Sequence, residues 1–347
     1  MLSRRRARLV ALGAALLAAP PLQANEGCLG GVQSLYVEND LFANSDRNYT
    51  SGVKLTWVSP DLKDYRDRKC IPGWMLPYEA AVRSFTDQFF SANAKQRNVV
   101  ATLGQEIYTP GDRTRSDLIR NDRPYAGWLY LGVGYNERRD AGALERLDSI
   151  ETRFGIIGPL SLGKTAQDFI HDLRGFPRFE GWSNQLRHEP GLQAIAERKY
   201  RATRADAGTG DAIAHFGGSL GNVATYLNAG LELRWGRGIP DDFGSSPTRP
   251  AGNNTAPGAF RRKAFSMHGF ASLDLRLVAR DIFLDGNTFT HSHSVDKRPR
   301  VAELALGFAG YAEGWKFSYA RVLRSREFEG QTSRHSFGSF TISRDFD

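Results

Sequence analysis

Val223-Ala-Thr-Tyr-Leu-Asn-Ala-Gly-Leu-Glu-Leu-Arg-Trp235 is the stretch on which the fold turns. Its odd positions read Val, Thr, Leu, Ala, Leu, Leu and Trp, and its even ones Ala224, Tyr, Asn, Gly, Glu and Arg234. From Met267 the same alternation returns, with Met, Gly, Ala, Leu, Leu and Leu277 on one parity and His268, Phe, Ser, Asp and Arg276 on the other. A strand turns alternate side chains to opposite faces, so each run has one apolar face and one polar or small face. Soluble sandwiches use shorter strands. Alternation over ten or more residues suits a strand that meets lipid on one side and a polar interior on the other. The expected fold is therefore all-β, a transmembrane antiparallel barrel.

The start of the chain supports that compartment. Arg4, Arg5, Arg6 and Arg8 precede the apolar run Leu9–Ala19, and Pro20-Pro-Leu-Gln-Ala24 follows. A basic region, a short apolar core and a small residue at the end make residues 1–24 a secretory signal peptide, leaving 25–347 as one barrel domain. The run is too short to span a bilayer, and no stretch of about 20 apolar residues follows it, which argues against a helical membrane protein. Cleavage after Ala24 removes four arginines and no acid, so Lys+Arg falls from 46 to 42 against 38 Asp+Glu and the formal charge from +8 to +4. Much of the basic balance belongs to the export signal and gives no reason to expect a nucleic-acid partner. Cys28 and Cys70 are the only cysteines, and an oxidising compartment permits them to pair or to remain thiols.

The same pattern predicts twelve strands near 32–39, 51–59, 98–108, 125–138, 146–157, 192–203, 211–220, 223–235, 266–284, 300–313, 315–327 and 335–346. An even number places both termini on one side, the periplasm. Two long segments, about 60–97 and 236–265, then fall where turns are usually short, and suit short helices or a plug. Between the fifth and sixth strands, Gly158-Pro159 opens and Gly175 with Pro177 closes a helix that carries Gln167, Asp168, His171 and Asp172. This predicts a short extracellular helix near His171, read either as a functional element or as a surface helix with an idle histidine.

Polar groups gather at the same rim: Asn39-Asp40, Asp46-Arg-Asn-Tyr49-Thr50, Gly104-Gln105-Glu-Ile-Tyr108 and Asp122-Arg123-Pro-Tyr125. Singly, Asn-Asp and Asp-Arg-Asn are turn residues. Tyr125, Trp128 and Tyr130 suit an interfacial aromatic girdle. His291-Ser-His293 with Asp296 offers too few firm ligands for a metal and reads as loop.

These motifs, in order, are Asn39-Asp40-x-Phe42, Asp46-x-x-Tyr49-Thr50-x-Gly52, Gly104-Gln105-x-x-Tyr108-Thr-Pro110, Asp122-Arg-Pro-Tyr-Ala-Gly-Trp128 and Gly158-Pro…Gln167-x-x-x-His171…Gly175…Trp182-x-x-Gln185. Together they resemble the outer-membrane lipid A 3′-O-deacylases over the whole mature chain. The resemblance implies a twelve-stranded barrel in the bacterial outer membrane, its active site facing the outer leaflet, that hydrolyses an ester-linked acyloxyacyl chain of lipid A with Ca²⁺ assistance. It places the catalytic histidine on His171, its Asn-Asp pair on Asn39 and Asp40, with Asp40 the carboxylate ligand for the metal, and the active-site threonine on Thr50. A basic residue falls at Arg113 or Arg115. Arg113, Arg115, Lys164 and Arg174 have the chemistry for lipid A phosphates or for a solvated basic rim. Where some members have a glutamate six residues after the histidine, this chain has Pro177, and Asp172 or Glu180 are the nearby acids. Two other readings are a phospholipase-type lipase using a Ser/His pair, for which His291-Ser-His293-Ser294 offers the residue types, and a non-catalytic channel or structural barrel.

Overall fold

The computed structural model describes residues 31–40, 48–62, 73–78, 80–81, 94–203, 209–245 and 265–346. Twelve strands form one closed antiparallel barrel: β1 (Val32–Asn39), β2 (Asn48–Val58), β3 (Gln96–Thr109), β4 (Ala126–Ala141), β5 (Leu144–Ile157), β6 (Glu189–Thr203), β7 (Gly210–Gly221), β8 (Ala224–Arg237), β9 (Ser266–Asp281), β10 (Arg300–Ala312), β11 (Trp315–Arg324) and β12 (His335–Asp345). Each strand pairs with its chain neighbours, and β1 with β12 closes the ring, so no edge is left to solvent or lipid. Cys28 and Cys70 lie outside the described residues.

Alternation sorts the side chains as the sequence requires. On β8, Leu227, Leu231, Leu233 and Trp235 face outward and exposed, while Tyr226, Glu232 and Arg234 are buried inside. The interior is filled by polar pairs, among them Arg153–Glu151 at 3.0 Å, His215–Asp274 at 2.8 Å, Arg276–Glu303 at 3.0 Å and Arg324–Glu303 at 2.6 Å. Trp128 and Tyr130 correct the girdle reading. They point inward, 2% exposed, and stack on each other at 4.2 Å between centroids beneath Phe283.

The long segments at one end take both expected forms. After β8 the chain turns into the lumen, where Asp242 is fully buried, bonding Arg234, Lys316 at 3.1 Å and the Tyr311 hydroxyl at 2.8 Å. Leu62, Met75 and Tyr78 instead pack on the outside of the barrel, against the outward-facing Val99, Val133 and Tyr135. At the other end, the β5–β6 connection forms helix α1 (Gly163–Arg174), and a one-turn helix α2 (Ile282–Asp285) follows β9. The predicted ninth strand therefore stops at Asp281, whose carboxylate accepts the Phe283 N–H at 2.9 Å and starts α2.

Candidate active site

Helix α1 lies on the outer wall of the barrel. Leu103 and Leu131 are exposed to the lipid side, so Gln105, Ile107 and Gly127, on the same parities, also face outward. Gln105 donates through Nε2 to the Ser161 carbonyl at 2.6 Å, fixing the turn before α1. Ile107 is 3% exposed, covered by a cluster with Tyr125, Phe179 and Trp182 on which Ala166 packs. Gly127 is where the helix touches the wall. A Cβ there would stand 2.2 Å from Ser161 Oγ and 3.0 Å from Gly163 Cα, so only glycine admits the approach. Burial pushes the Tyr125 hydroxyl up to about 12, so it stays protonated.

Gly163, Gln167 and His171 form the buried stripe of α1, one residue every helical turn. Gln167 Oε1 accepts from Trp182 Nε1 at 2.7 Å. Gly175, in the left-handed conformation at φ 72, ends the helix, and the Phe176 N–H bonds the His171 carbonyl at 2.9 Å. His171 is 2% exposed, with the Phe176 and Phe179 rings edge-on at 6.1 and 5.5 Å. Its Nδ1 lies 2.7 Å from the Pro177 carbonyl oxygen. A carbonyl only accepts, so Nδ1 carries the proton and Nε2 the lone pair. The ring is thus turned away from solvent and held at one nitrogen.

The other candidates fall at the same level of the wall. In register, Asn39 of β1 faces Ser51 of β2, Ser51 faces Ile107 of β3, and Ile107 faces Gly127 of β4. The register of β2 shifts between Tyr49 and Ser51, making Thr50 the extra residue of a bulge, a feature that re-aims a strand. Asp40, fully buried, directly follows Asn39. Helix α1 packs on β4 and β3, with His171 held by Pro177, Phe176 and Phe179.

The basic candidates are dispersed. Arg113 is half-buried and its carbonyl accepts the Glu180 N–H at 3.0 Å. Arg115 pairs with Asp117, Lys164 with Asp168, and Arg174 lies over the Phe176 ring at 5.5 Å. A residue the sequence reading missed is Arg178. It bonds Asp172 in a fork, Nε to Oδ1 at 2.8 Å, and reaches Asp168 at 3.9 Å, clamping the Pro177 turn against α1. Only the i,i+4 spacing of the two aspartates on the helix hinted at it. Asp172 is thus engaged by a cation. Arg123 likewise serves the rim: it is fully buried, bonds Glu327 at 3.1 Å and lies over Tyr108 and Phe328.

Among the described residues no group of three or more His, Cys, Asp and Glu side chains could hold a metal ion. A calcium ion takes six to eight oxygens. Asp40 supplies one carboxylate, and Asn44 and Asp46 lie outside the described residues, so the described donors alone do not fit the ion. His293 Nε2 meets the Asp122 carbonyl at 2.7 Å and Ser292 Oγ accepts the Asn287 N–H at 2.8 Å, which ties the His291–His293 loop into the rim. A Ser–His contact does occur elsewhere, Ser245 Oγ to His268 Nε2 at 2.7 Å, but both are buried in the lumen beside the plug and His268 Nδ1 has no partner to orient it.

A sequence model of the family described as outer membrane protein LpxR matches residues 9–346. Among solved structures the chain is similar to LpxR from Salmonella typhimurium, with TM-score 0.69, 20% identity, and coverage of 90% of this chain and 99% of that one. The translocator domain of the autotransporter NalP from Neisseria meningitidis aligns at TM-score 0.40 and 12% identity, over 99% of this chain and 97% of that one, a score that carries no argument. No curated protein sequence matches.

Proposed function

The chain belongs to the LpxR outer membrane protein family, and on that footing we propose that it hydrolyses an ester of lipid A in the outer leaflet of the bacterial outer membrane. The observation that carries this reading is the placement of His171 on the outer wall, beneath a helix and at the edge of the apolar band, with Nδ1 committed to the Pro177 carbonyl. A base outside a barrel, at its membrane edge, meets substrates that arrive sideways from the leaflet. The filled and plugged lumen speaks against a channel, and the absence of an orienting partner on His268 speaks against a serine lipase at Ser245.

In the proposed mechanism Nε2 of His171 takes a proton from water as it attacks the ester carbonyl, the acyl C–O bond of the tetrahedral adduct then breaks, and the imidazolium returns the proton to the leaving alcohol oxygen. Nδ1–H remains on Pro177 O and steadies the imidazolium as it forms. Asn39 donates to the developing oxyanion, and Thr50, at the bulge, positions the water or the substrate. Arg113, Arg115, Lys164 and Arg174 line the rim where lipid A phosphates would lie. Calcium is implied by the family resemblance, with Asp40 as its candidate carboxylate, and no step here is routed through the ion. The reaction leaves a free fatty acid and a 3′-deacylated lipid.

The test is mass spectrometry of lipid A from cells expressing the wild type or His171→Ala. Loss of an acyloxyacyl group with the wild type alone supports the assignment. Removal by both would sink the role of His171. Unchanged lipid A in both would point to another ester, and a serine-directed inhibitor that stopped hydrolysis would favour the lipase.

A further inference from the structure

A second concave site lies beside α1, above the strand ends. The β5–β6 and β9–β10 connections form a cleft of about 630 Å³, with Leu118 of the β3–β4 loop also lining it. Every lining residue lies beyond a strand end, since β5 stops at Ile157, β6 starts at Glu189, β9 stops at Asp281 and β10 starts at Arg300. The cleft therefore stands above the apolar band, at the level of headgroups and sugars. Hydrogen bonds stitch the two connections into one rim. Asn287 Oδ1 accepts the Arg187 N–H at 2.9 Å, and Asn287 Nδ2 donates to the Arg187 carbonyl at 3.0 Å. Glu189 accepts the Thr288 N–H at 2.7 Å and Asn287 Nδ2 at 3.0 Å on one oxygen, and Asn222 Nδ2 at 2.9 Å on the other. Both its oxygens are thereby occupied, and no carboxylate lines the cleft among the described residues.

The exposed side chains of the cleft keep groups for a ligand. Arg187 lines it with its guanidinium in no ion pair among the described residues, whereas Arg115 and Lys164 are taken by Asp117 and Asp168. His188 accepts the Leu160 N–H on Nδ1 at 3.4 Å, so its proton sits on Nε2, free to donate. His291 lines the same cleft, exposed, and bonds nothing among the described residues. Asn184 donates through Nδ2 to the Ser116 and Gly181 carbonyls at 2.9 and 3.3 Å, which leaves its own side-chain oxygen as an acceptor. A guanidinium fork, imidazole donors and an amide acceptor, with no competing acid, match a phosphate monoester flanked by hydroxyls. Trp182 joins the cleft to the proposed reaction. It lines the cleft and donates through Nε1 to Gln167 at 2.7 Å, one helical turn, about 6 Å of rise, from His171.

We propose that this cleft seats a phosphorylated sugar of the substrate's headgroup, from which an ester-linked chain reaches His171. Arg187 and His291 take the phosphate, and His188 and Asn184 take ring hydroxyls. The chemistry is that of a phosphate monoester on a hydroxyl-rich ring. The deacylase reading makes that ring the saccharide of lipid A, and the identity of the ligand rests on that reading. Because the rim is stitched by Asn287 and Glu189, the donors are in place before the ligand arrives, which lowers the ordering cost of binding.

The experiment is titration calorimetry of the full chain in detergent micelles. The probes are the phosphorylated disaccharide of fully deacylated lipid A, the same disaccharide after phosphatase treatment, and inorganic phosphate. The wild type is expected to bind the phosphorylated disaccharide at least tenfold more tightly than the dephosphorylated one, with millimolar phosphate failing to displace it. Arg187→Gln should weaken that binding at least fivefold and Arg187→Gln/His291→Gln at least tenfold. Arg237→Gln, at the exposed far end of β8, should match the wild type. All three side chains are exposed, and heat-modifiability on a gel certifies each barrel. No binding by the wild type, equal affinity for the two disaccharides, full displacement by phosphate, or unchanged affinity in the double variant overturns the proposal. Binding is read without turnover, so the two readings fail separately. Phosphate-dependent binding by a chain that leaves lipid A intact supports the cleft and sinks the deacylase reading, while hydrolysis without such binding does the reverse.

Discussion

His171 is held at one nitrogen by a group that cannot take its place as an acid, and that decides what each nearby substitution does. His171→Gln keeps much of the shape but removes the proposed base. Lipid A hydrolysis is expected to fall about 10²- to 10⁴-fold, with the heat-modifiable barrel unchanged on a gel. Pro177→Ala retains the carbonyl that holds Nδ1, and activity should stay within about threefold by the same assay, since the interaction removed is not catalytic. A backbone carbonyl belongs to every residue type, which is why this contact was invisible in the sequence while His171, Gln167 and Trp182 were legible as a spaced motif. Trp128 and Tyr130 failed for another reason. Alternation shows that a strand has two faces, and aromatic residues suit either a lipid girdle or a packed interior, as Phe283 above them proves.

Helix α1 and the β4 wall meet without side chains at Gly127 and Gly163, so the contact has no slack. Gly127→Val would drive a branched side chain into Ser161 and lift the helix from the wall. Hydrolysis should fall by at least tenfold while the thermal midpoint moves little, because the twelve-strand ladder is untouched. A circular-dichroism melt paired with the lipid A assay checks both halves. Strands were the most legible elements: the first was read at its observed bounds, and the others within a few residues, because period-2 alternation persists along each one. Where the ends differed, local capping won, as at Asp281. Placing α1 outside the barrel needed the parity of Ile107 and Gly127 relative to neighbouring strands, which one strand's pattern does not contain.

At the scale of the whole molecule, Asp242 ties the plug to the barrel. Burial alone would raise its carboxyl, but Lys316 and Arg234 outweigh that and hold it well below the usual carboxylate range. A depressed carboxylate stabilises fully above its unfolded value, about pH 4, and loses that contribution only as acid reaches the lower folded value. Plug stability should thus be flat from neutral pH down to about pH 4 and fall below it, as read by denaturant midpoints across pH. Asp242→Asn leaves two buried cations short of a partner and is expected to cost about 3–5 kcal/mol. The same variant should show intermittent current in planar bilayers where the wild type shows none.

With α1 packed on the outer wall, the proposed site is approached from the plane of the membrane. Its substrate supply is then a mole fraction, not a molarity. In mixed micelles the rate should decline as inert detergent is added at constant bulk lipid and enzyme, the behaviour of surface dilution. A rate indifferent to that ratio would mean that lipid reaches the histidine from water.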